Sequence, residues 1–123
     1  MTHGHGWRIR LTTTAESDLR NILRWTAGQF GHAQSRFYSE TLTLAIQALT
    51  DGPHIAGSRR RDGIAQGLMT LHVARGGRKG RHFVLYRVSE SAEAPTIEVL
   101  RLLHDSMDLV RHVGSATDDS PPG

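Results

Sequence analysis

At 123 residues the chain has the length of one domain, long enough to bury a core and short for two. A hydrophobic content of 37% with 22% charged residues suits a soluble globular chain, no apolar run reaches the roughly 20 residues of a bilayer span, and the lack of cysteine excludes disulfides, thiolate metal sites and cysteine catalysis. The net charge of +3 hides an asymmetry: eight of the fifteen Lys and Arg fall between Arg59 and Arg87, where Asp62 is the sole acid, so an anionic partner is expected, either nucleic acid or an acidic protein surface.

Residues 1–6 read as a flexible lead without the apolar stretch of a secretory signal, which makes the cytoplasm the expected location. Trp7, Ile9 and Leu11 alternate with Arg8 and Arg10, the pattern of a half-buried strand. Thr13 then opens a helix, with Glu16 at capping-box spacing and Ala15, Leu19, Ile22 and Leu23 as one apolar stripe; Gly28 and Gly31 bracket its end. A second helix follows from about His32 to Thr50, stopped by Asp51, Gly52 and Pro53, and the two make an αα-hairpin. Trp25, Phe30, Phe37 and Tyr38 are expected in its core or hairpin packing.

His54 to Gly67, without periodicity, reads as a loop carrying Arg59, Arg60 and Arg61. Gly67 to Arg75 reads as a strand. Gly76 to Gly80 is a hairpin connection that lacks the ending of a P-loop. The run Arg81 to Val88 is the expected central strand, with Arg81, Phe83, Leu85 and Arg87 on one face and His82, Val84, Tyr86 and Val88 on the other. Ser89 to Pro95 is a polar turn, Thr96 to Leu103 a last, interior strand, and His104 to His112 a turn or short helix. Residues 114–123 have the composition of a disordered tail. The expected fold is α+β: an N-terminal strand, a helical hairpin, then a three-stranded antiparallel meander, all in one small sheet over residues 7–113. The place of the first strand in that sheet is left open.

Two constellations carry possible chemistry. His72, His82 and His104 lie on or at the ends of three successive strands, where convergence would suit zinc or proton transfer; their spacing is not that of a metal site, and separate hydrogen-bonded histidines are the expectation, with no cofactor. Alternatively Glu98 as base, Arg75 or Arg81 at the phosphorane and His104 as proton carrier compose a complete ribonuclease on paper.

The run from Thr12 to Ile22, the helix with Ala33, Phe37 and Tyr38, the stop from Leu49 to Pro53, the strand Gly80 to Val88 and the ending Val99 to Asp108, with its Leu-His-Asp-x-Met-Asp motif, resemble the ParE branch of the RelE/ParE toxin superfamily. The resemblance spans about Trp7 to Val113. It implies a type II toxin that inhibits DNA gyrase and so replication without a reaction of its own. It also implies a hetero-oligomer with a cognate antitoxin of the ribbon-helix-helix, ParD-like kind. Its alternative is the RelE branch, which cleaves messenger RNA on the ribosome; the chain has no tyrosine after Tyr86 and ends in the ParE manner. For antitoxin or target the expected contact residues are Arg75, Arg81, His82, Arg87, Arg101 and His104, and no membrane partner is implied.

Overall fold

The computed structural model describes residues 6–89, 93–107 and 109. The lead up to His5, residues 90–92 of the polar turn, residue 108 and the chain from 110 on lie outside the described residues. The elements are β1 (Arg8–Leu11), α1 (Thr13–Phe30), α2 (His32–Ala48), a 3-10 turn (Leu49–Asp51), β2 (Ser58–Arg60), β3 (Met69–His72), β4 (His82–Ser89) and β5 (Thr96–His104). They build one five-stranded sheet in the order β1-β5-β4-β3-β2, with the helical hairpin on one face.

The α+β class and the hairpin are as expected, and β4 is indeed the middle strand. The meander has four strands instead of three: Ser58–Arg60, read as loop, pairs antiparallel with β3, with Arg59 opposite Thr70. Three residues held in place only by a neighbour carry no periodicity of their own. β1 runs parallel to β5, with Ile9 opposite Ile97, so the first strand closes the far edge of the sheet.

Thr12 joins that strand to the hairpin. Its hydroxyl accepts from Ala15 N–H at 3.0 Å and donates to Leu100 O at 2.9 Å, and its own N–H reaches Val99 O at 3.0 Å. The cap therefore sits one residue before the expected Thr13–Glu16 box, because Thr12 alone can cap the helix and tie it to β5 at once. Gly28 lies inside α1, and the chain turns at Gly31, whose φ of +94° favours a residue without Cβ.

The side chains of β4 divide as the alternation predicts. Val84 and Tyr86 join Leu71, Val73, Ile97, Val99 and Leu102 beneath Ala15, Leu42, Ala45 and Leu49 of the hairpin side. At about 1.5–3 kcal/mol for each fully buried large apolar side chain, this layer is the main source of stability. Tyr86, fully buried, donates its hydroxyl to Pro53 O at 2.7 Å, and burial pushes its pKa up to about 12. On the opposite face Leu68, Leu85, Leu100 and Leu103 form a second cluster, covered by Ile64, Ala65 and Leu109.

The register of β4 and β5 slips once. Leu85 faces Arg101 while Tyr86 faces Val99, so Leu100 is the extra residue of a bulge. Beyond it Arg101 turns back to the hairpin and meets Asp18 of α1 at 2.8 and 3.1 Å.

Candidate functional site

Where the turn of the helical hairpin meets the start of β4 lies a groove of about 810 Å³, whose walls include Trp25, Phe30, Tyr38, His82, His104 and Met107. Trp25, Phe30 and Met107 are 61%, 65% and 43% exposed, so three large apolar side chains stand on the surface together. Trp25 and Phe30 meet edge to face, 5.9 Å between ring centres. The expectation that they are packing residues is corrected. Thr26, not Trp25, continues the buried row from Ala15 and Leu19, and leaves Trp25 beside the stripe. Phe37 is exposed too, under the guanidinium of Arg78 at 4.3 Å, and only Tyr38 packs against the core.

The floor of the groove is a hydrogen-bonded chain. Tyr38 Oη accepts from Arg81 N–H at 3.1 Å and lies 2.7 Å from His82 Nδ1. Burial, then the neighbouring His104, pulls the His82 pKa down to about 4, so at neutral pH its ring is uncharged and takes the phenol proton as a hydrogen bond. Burial likewise raises the Tyr38 pKa above its usual value. His104 lies opposite His82 across the strands, with ring centres 5.3 Å apart, and its Nδ1 is 2.7 Å from Ser106 Oγ. Lys79 and Arg81 supply a cationic rim.

Asp105 closes the sheet end. Its carboxylate meets His72 Nε2 at 3.0 Å and Arg81 Nε at 3.3 Å, and the His72 bond, followed by the Arg81 guanidinium, holds its pKa below the usual carboxylate range. The three strand histidines are neighbours with different partners. Among the described residues no three His, Asp or Glu side chains are placed to hold a metal ion.

Arg81, His82 and His104 thus come together at the groove, while the other expected contact residues do not join them. Arg101 is held by Asp18, the two side chains only 17% and 15% exposed. Arg75 donates to Ala56 O at 3.2 Å on the hairpin connection. Arg87 lies at the far end of β4, where Glu98 bridges it at 3.2 Å and Arg10 at 2.7 Å. Burial raises the Glu98 pKa, but the hydrogen bonds from Arg10 and Arg87 outweigh it and keep the carboxyl below its usual range. Glu98 pairs with Arg87 and His104 with His82, six residues apart on β5, roughly 20 Å of strand. The two also sit on opposite faces, so the four residues of the paper ribonuclease do not form one site.

Over residues 9–109 the chain matches the family model described as the ParE toxin of the parDE type II toxin-antitoxin system. The chain belongs to the ParE toxin family. Among curated ParE toxins, Toxin ParE1 of Mycobacterium tuberculosis is 31% identical over 106 residues, covering 86% of this chain and 97% of the relative. Toxin ParE1 of Caulobacter vibrioides is 28% identical over 106 residues, covering 85% and 96%. Among solved structures, a chain of the chromosomal ParDE system of P. aeruginosa superposes with a TM-score of 0.66 at 18% identity, covering 81% of this chain and 97% of that one. A chain of the RelBE2 toxin-antitoxin complex of M. tuberculosis gives 0.51 at 24% identity, covering 80% and 98%. These two show the shared fold. In this ParE-family chain the residues that sequence reasoning missed are Trp25, Phe30, Asp105 and Met107. The one-residue offset of Trp25 from the helical stripe was the available signal for the first.

Proposed function

We propose that this ParE-family toxin inhibits DNA gyrase in the cytoplasm and is held inactive, in a hetero-oligomer, by an antitoxin whose C-terminal segment occupies the groove between hairpin and sheet. The observation that carries the antitoxin part is the exposed apolar wall of Trp25, Phe30 and Met107 beside Lys79 and Arg81. An amphipathic segment with acidic flanks has the chemistry to cover both, apolar anchors giving affinity and charge giving register. The antitoxin of this reading is a ribbon-helix-helix protein that reads operator DNA through its other half.

Gyrase as target is supported by the membership of the chain in the ParE family over residues 9–109 and by the separation of Glu98 from His104, which gives the ribonuclease alternative no assembled site. Purified toxin added to gyrase and relaxed plasmid is expected to lower supercoiling and accumulate cleaved DNA, and equimolar antitoxin to reverse both. Gyrase that supercoils normally at a large excess of toxin refutes the target. A messenger cut in a translation extract, and spared by His104→Ala, favours the RelE-like alternative.

A further inference from the structure

We propose that the sheet face turned away from the helical hairpin binds the phosphate backbone of duplex DNA. The inference goes beyond the gyrase reading and does not need it. Strand pairing sorts the arginines. Arg10, Glu98 and Arg87 lie in one row, and Arg59 lies opposite Thr70, which lies opposite Leu85. Since Val84 and Tyr86 point to the hairpin, this row and Leu85 point away from it, and Arg8 shares the face with Arg10. Arg61 joins them, donating to Thr70 Oγ1 at 3.0 Å with its guanidinium 5.7 Å from the Phe83 ring centre.

Against these five arginines, Glu98 is the one carboxylate among the described residues of the five strands, and Arg10 and Arg87 share it; Arg81 is held by Asp105 at the groove. Arg8 and Arg59 are exposed and have no carboxylate partner among the described residues. The face measures roughly 20 Å along β4 from Arg81 to Arg87 and roughly 19 Å across five strands, enough to meet several phosphates of a duplex that carries one charge per about 1.7 Å.

The same face offers a protein partner little. Its apolar residues Leu68, Leu85, Leu100 and Leu103 are already covered by Ile64, Ala65 and Leu109. Phe83 is taken by Arg61 and by His72, whose ring stands edge-on at 5.4 Å, so it gives no free platform for stacking an unpaired base. What remains is arginine, and arginine forks suit phosphate. The two surfaces of the molecule thus divide by chemistry: apolar anchors at the groove, and an excess of arginine over carboxylate on the sheet.

The test is fluorescence anisotropy of a labelled 20-base-pair duplex with the full chain between 50 and 200 mM KCl. Binding is expected to weaken about 10²-fold over that range, as for about four phosphate contacts. R8A/R59A removes no ion pair and is expected to reduce the slope of log K against log salt by about 2; R87A reduces it by about 1, and circular dichroism verifies that both variants are folded. Trp25→Ala leaves DNA binding unchanged. No binding at 50 mM KCl, equal binding by R8A/R59A and wild type, or loss of binding in Trp25→Ala overturns the inference, as does capture of an acidic peptide by this face with no binding of DNA. Gyrase inhibition without DNA binding overturns this inference alone, and DNA binding without gyrase inhibition overturns only the gyrase reading.

Discussion

His82 and Gly80 show how closely the groove floor is built. His82 has a folded pKa of about 4 against 6.5 for a free histidine. Between those values the unfolded chain binds a proton that the folded chain does not, so stability is complete above pH 6.5 and falls as pH drops toward 4. His82→Gln keeps an acceptor for Tyr38 and is expected to flatten the fall in Tm between pH 7 and 5; an unchanged fall assigns the effect to other groups. Gly80 is required by space. A Cβ there would stand 2.5 Å from Val73 Cγ2 and 2.9 Å from Tyr38 Oη, so Gly80→Ala is expected to cost about 1–3 kcal/mol in urea unfolding. The identity of Tyr38 was legible as an aromatic at helical spacing. Its bond to His82 was not, because it joins residues 44 positions apart.

At the scale of elements, the Asp18–Arg101 pair fastens α1 to β5. Asp18 also accepts from Leu102 N–H at 3.0 Å, so one carboxylate serves a guanidinium and a backbone amide next to the bulge. Asp18→Ala is expected to cost about 1–3 kcal/mol, since it takes a carboxylate away from a largely buried cation and a backbone amide together. A urea midpoint within error of wild type contradicts that role. The hairpin connection is fastened likewise, with Arg78 donating to Thr41 Oγ1 at 2.8 Å and Phe37 O at 3.1 Å. Helices and central strands were legible because their periodicities are local. β2 was not, since a three-residue edge strand is specified by its neighbour, and the reach of Arg101 depends on a bulge that shifts every later side chain.

On the scale of the molecule, the hairpin-side core leaves the groove as an exposed apolar surface and the opposite face as a cationic one. Trp25 and Phe30 contribute little to folding at their exposure, so Trp25→Ala with Phe30→Ala is expected to change stability by less than about 1 kcal/mol. The same double variant is expected to weaken antitoxin binding at least tenfold in calorimetry, and to escape rescue by co-expressed antitoxin if it still arrests growth. Full affinity in the double variant removes the groove from the antitoxin interface. The expected contact set was legible only in part for the same reason. Arg81, His82 and His104 are near one another in the sheet, whereas Arg75, Arg87 and Arg101 share their charge type but not their surroundings.

The sequence by itself determined the α+β class, the order and type of the main elements and the two faces of β4, and it carries the motifs through which the chain resembles the ParE family. The class, the elements and the faces follow from residue type and spacing along short stretches; the family follows from resemblance. The tertiary structure decided the parallel seat of β1 beside β5, the fifth strand, the bulge that aims Arg101 at Asp18 and the distance between Glu98 and His104. It also decided that Trp25 and Phe30 face solvent. All of these depend on which distant segments pair and in what register, and a shift of one residue there moves a side chain to the other face of the sheet.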